Sequence, residues 1–100
     1  MARGINAVAV SGNVTADIKF GQTDQGFQFC SFTLISEKKD RKKRTIVRVN
    51  IYVPGLVDVC HDRLQEGCYV VVVGEMMNPD RMLGCEVRCH EIVFTERREA

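Results

Sequence analysis

Two neighbouring segments restrict this chain to strands. Residues 27–36 read FQFCSFTLIS and residues 45–53 read TIVRVNIYV. Both alternate with a period of two, which is the side-chain period of a β-strand and not of a helix. In the second segment Val47, Val49, Ile51 and Val53 share one face. That face is wholly aliphatic and is read as core. Ile46, Arg48, Asn50 and Tyr52 share the other. A cation, an amide and a phenol in one row suit a wet or ligand-facing surface. In the first segment Cys30, Phe32 and Leu34 form the core face, opposite Phe29, Ser31, Thr33 and Ile35.

Between these strands lies KKDRKKR, residues 38–44, in which six of seven side chains are cationic. The two strands then form a long hairpin with a basic tip, a device for holding a phosphate backbone. Residues 1–50 carry nine Lys/Arg and four Asp/Glu, net +5. Residues 51–100 carry five and nine, net −4, so the two halves sum to the overall +1. An anion-binding surface is therefore expected mainly from the first half.

The remaining segments complete one domain over residues 1–100. INAVAVSGNV, residues 5–14, alternates and ends at a Gly-Asn breaker, with Val8, Val10 and Gly12 on one face and Ala7, Ala9 and Ser11 on the other. Ile18 and Phe20 flank Lys19, so a short strand fits there, followed by a turn at Asp24-Gln25-Gly26. Pro54-Gly55 ends the strand before it. Leu56, Val57, Cys60 and Leu64 then make an apolar stripe that predicts a short helix over 56–65, with Gly67 as its C-cap glycine. CYVVVVG, residues 68–74, predicts a strand buried on both faces, one of them covered by a second subunit. Residues 76–83 read as a loop, and CEVRCHEIVF, residues 85–94, as the last strand. Five strands with one short helix between the third and fourth is the order of an all-β OB-fold, a small Greek-key barrel. A small α+β sandwich shares the same pattern.

Other chemistries find little support. The five cysteines are expected to be reduced thiols that pack as small hydrophobes in a cytoplasmic protein, since the N-terminus enters a strand pattern directly. Cys85 and Cys89 would lie roughly 13 Å apart on a strand, too far to share a metal ion. His61 and His90 read as surface histidines, and Asp58 and Asp62 as a solvated helix face. No nucleophile elbow, phosphate loop or metal-binding helix is present, so no enzyme activity, cofactor or metal is expected. No apolar stretch approaches the roughly 18–20 residues that span a bilayer, so no membrane partner is expected.

At this point the residues resemble a family. ARGINAVAVSGNV (2–14), FCSFTLISE (29–37), LQEGCYVVVVGEM (64–76) and CEVRCHEI (85–92) are similar to the strands and helix end of bacterial and phage single-stranded DNA-binding proteins. The resemblance covers most of the chain and implies an OB-fold, assembled as a homodimer or homotetramer. It also implies sequence-independent binding and protection of single-stranded DNA in replication, recombination or repair, nucleoid-associated or phage-encoded in a bacterial cell. RNA as the strand, and replication proteins as further partners, belong to the same expectation.

The family places an aromatic, an arginine and a second aromatic along the outward face of its third strand. Arg48 and Tyr52 match, and Ile46 does not. Lys19 and Phe20 match a basic-aromatic pair after the first strand, and Arg3 a basic N-terminal position. With Phe27 and the hairpin cations Lys38, Lys39, Arg41, Lys42, Lys43 and Arg44, these are the expected nucleic-acid contacts. The chain has no Trp, the family's usual stacking platform. Two other readings share the fold: a primosome-type replication accessory protein, and an interaction module that has lost strand binding. Subunit contacts are expected from the valine-rich fourth strand and from Ala7, Ala9 and Ser11.

Overall fold

A computed structural model describes residues 4–37, 44–77 and 85–95. Its elements are β1 (Val8–Val14), β2 (Lys19–Gln22), β3 (Gln28–Glu37), β4 (Arg44–Ile51), α1 (Pro54–Arg63), β5 (Tyr69–Met77) and β6 (Cys85–Thr95). The sheet runs β1-β5-β6-β4-β3, and β3 pairs back to β1, so five strands close into a barrel. The helix stands between the third and fourth of these, as the alternation predicts for an OB-fold. The short β2 pairs with β3 alone and extends it beyond the barrel.

The core is the set of inward phases of these strands. Phe32 and Leu34 of β3, Val49 and Ile51 of β4, and Val70 and Val72 of β5 are all fully buried. Helix α1 closes one end with Val57 and Cys60, and Leu64 follows it inward. The Arg63 guanidinium lies 4.7 Å from the centroid of the Phe94 ring, which ties the helix end to β6. Cys30, Cys60 and Cys89 are buried in this core. A hydrogen bond with the Cys60 thiol, together with burial, pushes the Cys30 thiol up, and burial pushes Cys89 up to about 11. Cys30 and Cys89 therefore stay neutral and pack as hydrophobes.

Closure depends on two glycines. β1 pairs with β5 from Val8 to Asn13, then crosses to β3 through Asn13↔Ile35 and Val14↔Leu34. At that crossing a Cβ on Gly12 would stand 2.3 Å from the Ile35 carbonyl oxygen. On the neighbouring strand the β5–β6 register slips between Val73↔Glu91 and Gly74↔Cys89, leaving His90 as the extra residue of a bulge. A Cβ on Gly74 would stand 2.0 Å from the Arg88 carbonyl oxygen. The bulge also shifts the inward phase of β6 from Val87 and Cys89 to Ile92 and Phe94.

Several sequence expectations change. Val53 is 40% exposed and not core, because the strand stops at Ile51 and Val53 becomes the residue before the helix. The helix starts two residues early, at Pro54, whose missing N–H and fixed φ suit a first turn. Gly67 is not its C-cap. It sits at φ +90 in a later turn, donating its N–H to the Val14 carbonyl and accepting from the Asn13 amide. Met76 and Met77 are not loop but strand, paired with Val87 and Glu86. The outward face of β5 is only half-buried at Val71 and Val73. No described helix is long and apolar enough to cross a membrane.

The glycine geometry makes a testable contrast. Gly74→Ala is expected to lower stability by about 1–3 kcal/mol, because backbone must move. Gly55→Ala, in the open first turn of the helix with nothing within 4 Å, is expected to be neutral or to stabilise by about 0.5–1 kcal/mol. Urea melts of the two variants check both signs.

Candidate nucleic-acid interface

β4 is central to the exterior surface because it pairs with β3 on one edge and, in parallel, with β6 on the other. Residues directly opposite across a ladder share a face, so the registers line side chains up in rows. One row runs Arg88 (β6), Asn50 (β4), Ser31 (β3), Lys19 (β2). The next runs Glu86, Arg48, Thr33. Four strands at about 4.8 Å spacing place the cations of the first row about 14 Å apart.

Two carboxylates beside these rows, Glu86 and Asp17, are engaged by neutral groups. Glu86 accepts a hydrogen bond from the Asn50 amide. Asp17 fills the gap on the edge of β3 between its β2-paired and β1-paired parts. It accepts from the Thr33 backbone N–H at 3.2 Å, the Thr33 hydroxyl at 2.7 Å and the Thr15 hydroxyl at 2.6 Å. The Thr15 and Thr33 hydrogen bonds hold its carboxyl below the usual carboxylate range. Arg48 and Lys19 are exposed and make no ion pair among the described residues.

Tyr52 extends the face beyond the strand end and is 42% exposed. The Arg88 guanidinium lies 5.5 Å from its ring centroid, and the Phe29 ring stands at 6.2 Å, tilted by 47°. Phe29 in turn rests on Gly21, where a Cβ would meet its ring at 2.9 Å. Arg88, Tyr52 and Phe29 thus form a continuous cationic and aromatic surface.

The sequence-predicted residues divide among several places. Lys19, Arg48 and Tyr52 come together on this exterior face. Phe20 lies on the opposite face of β2, paired with Cys30, and stacks on His61 with centroids 3.9 Å apart. Phe27 is 61% exposed in the turn before β3, which is held by reciprocal bonds between Thr23 and Phe27. Arg44 is on the hairpin stem and pairs with Glu37 at 2.9 Å. Arg3 and Lys38, Lys39, Arg41, Lys42 and Lys43 lie outside the described residues. Ile46, the position that lacks an aromatic, is 62% exposed. Arg88 was not foreseen, nor was Phe29 as part of the surface. The signal for Arg88 was its phase, opposite Val87 and Cys89, but its neighbour on β4 is set by a parallel pairing that alternation cannot reveal. Among the described residues no cluster of His, Cys, Asp or Glu is placed to hold a metal ion.

Residues 5–93 match the sequence model of the single-strand binding protein family. No curated protein sequence matches the chain. Solved structures share its fold at low identity. The Plasmodium falciparum SSB in complex with ssDNA is 17% identical, with a TM-score of 0.79, covering 96% of this chain and 99% of that one. The mitochondrial single-stranded DNA binding protein Rim1 from S. cerevisiae is 7% identical, with a TM-score of 0.83, covering 97% and 100%. The dimeric N-terminal domain of PriB from Thermoanaerobacter tencongensis is 21% identical, with a TM-score of 0.74, covering 92% and 98%.

Asp17 supplies a prediction of its own. Its folded-state pKa lies below the ordinary value of 3.8, so its contribution to stability is complete above that value. It is lost as pH falls through the folded pKa. Asp17→Asn is therefore expected to be less stable than wild type at neutral pH. The difference should shrink steadily in melts taken below about pH 4.

Proposed function

The chain belongs to the single-strand binding protein family, and on that premise we propose that it binds single-stranded DNA without sequence preference across the exterior face of β2, β3, β4 and β6. The strand lies over Arg48, with Lys19 and Arg88 at its flanks and Tyr52 as the stacking platform. The basic hairpin segment 38–44 adds phosphate contacts. This is a binding role with no chemical step, acting on single strands exposed by replication, recombination and repair, with RNA as the competing strand to test.

The observation that carries the reading is the pair of cross-strand rows. Among the described residues they leave Arg48 and Lys19 without an ion pair on the face that carries the exposed Tyr52, while Asn50 and the threonines engage the nearby carboxylates. A flat, sequence-tolerant grip needs backbone cations and π-faces and little base-edge chemistry. Stacking contributes about 1–3 kcal/mol per base, so a face with few aromatics relies more on its cations.

We propose a homodimer or homotetramer as the binding unit. Among the described residues, Val8–Gly12 pair on the β5 side only. Ala9 and Ser11 there continue into the half-buried Val71 and Val73 of β5. A second copy that covers this surface would complete the burial of the valine face.

Titration with oligo-dT across a salt series tests the reading. With about five phosphate contacts the log–log slope is expected near −3.5, and Arg48→Ala should reduce it by about 0.7. Tyr52→Ala should weaken binding by about 1–3 kcal/mol while Tyr52→Phe retains it. The combined Lys42, Lys43 and Arg44 to Ala variant should lose both affinity and slope. A flat isotherm between low and moderate salt would count against the whole assignment.

A further inference from the structure

A cleft of about 500 Å³ opens between the β2–β3 hairpin and the first turns of α1, away from the rows described above. Its volume falls in the range of small-molecule sites. One wall is the Phe20–His61 stack, with the rings 3.9 Å apart and inclined by 27°. Gln22 and Gln28, directly opposite each other and exposed, present two amides. Asp58 of the helix adds a carboxylate, and Phe29 completes the lining.

The chemistry of this lining selects a base over a phosphate. Aromatic rings offer π-faces to any nucleobase. Glutamine amides carry the donors and acceptors that read base edges, and a carboxylate accepts from exocyclic amines. No lysine or arginine is among the described lining residues, and the Asp58 charge repels a phosphate. Lys19 points to the other face of β2.

Continuity supplies the occupant. Phe29, whose ring lies over Gly21 on the outward face of the hairpin, borders the cleft from that side and stands 6.2 Å from the Tyr52 ring. Tyr52 lies two residues before the first residue of the helix, Pro54. A strand crossing the exterior face past Tyr52 therefore meets the mouth of the cleft. We infer that the cleft receives one nucleobase of the bound single strand, with its sugar and phosphates left outside. This rests on the proposed exterior-face reading and extends it to a second binding element.

Photo-cross-linking of the full chain with oligo-dT carrying 4-thiothymidine, followed by peptide mapping, tests the inference. Cross-links are expected within residues 20–29 and 57–61 as well as on β4. The Gln22→Ala/Gln28→Ala variant, both positions being exposed, should keep its melting temperature and lose about five- to tenfold in affinity. Cross-links confined to residues 30–37, β4 and β6, with the double variant at wild-type affinity, would overturn the cleft. The exterior face would stand in that case, provided Tyr52→Ala still weakens binding. Equal cross-linking of the cleft by free 4-thiothymidine monophosphate would assign it to a soluble nucleotide and likewise overturn the strand path. Failure of wild type to bind oligo-dT at all would remove both readings together.

Discussion

Closure of the barrel depends on backbone passing backbone where no side chain fits. At Gly12 and Gly74 a single methyl would collide with the carbonyl of the neighbouring strand. A five-stranded sheet closes only if its strands coil and tilt sharply, and these two contacts mark where that happens. At Gly12 the first strand leaves β5 and reaches β3. At Gly74 the bulge interrupts a ladder in which β6 pairs with β5 along its whole length, while the first part of β6 also runs parallel to β4.

The exterior face then has a particular electrostatic arrangement. Asp17 and Glu86 are held by hydroxyls, an N–H and an amide, while Glu37 at the hairpin stem pairs with Arg44. The Asp17 hydrogen bonds also serve the fold, because they cover the stretch of β3 edge that neither β1 nor β2 reaches. Arg48 is left to solvent, and Arg88 turns toward an aromatic ring. Exposed cations of this kind contribute little to stability through pairing. Their value lies in the field they present to a polyanion.

Strand phase was legible because one side of the sheet is buried. Cys30, Phe32, Leu34, Val47, Val49 and Ile51 face inward as alternation requires, since a slip of one residue would expose all of them. Legibility failed at element ends. Val53 keeps the apolar phase but sits past the last ladder position, where the helix start governs it. Gly67 has the left-handed conformation expected of a cap, yet serves a turn bonded to β1. Met76 and Met77 lack strong alternation and become strand because β6 is there to pair with.

By itself the sequence determined the alternating strands, their inward faces, the apolar stripe of the helix and the surplus of cations in the first half. These are local properties, written in side-chain periodicity and charge. Only the tertiary structure decided which outward residues meet. It set Arg88 beside Tyr52, stacked Phe20 on His61 of the helix, and opened the cleft against α1. Such neighbours are joined by ladder register and by a parallel pairing across more than thirty residues, and periodicity within a strand carries no information about the strand beside it.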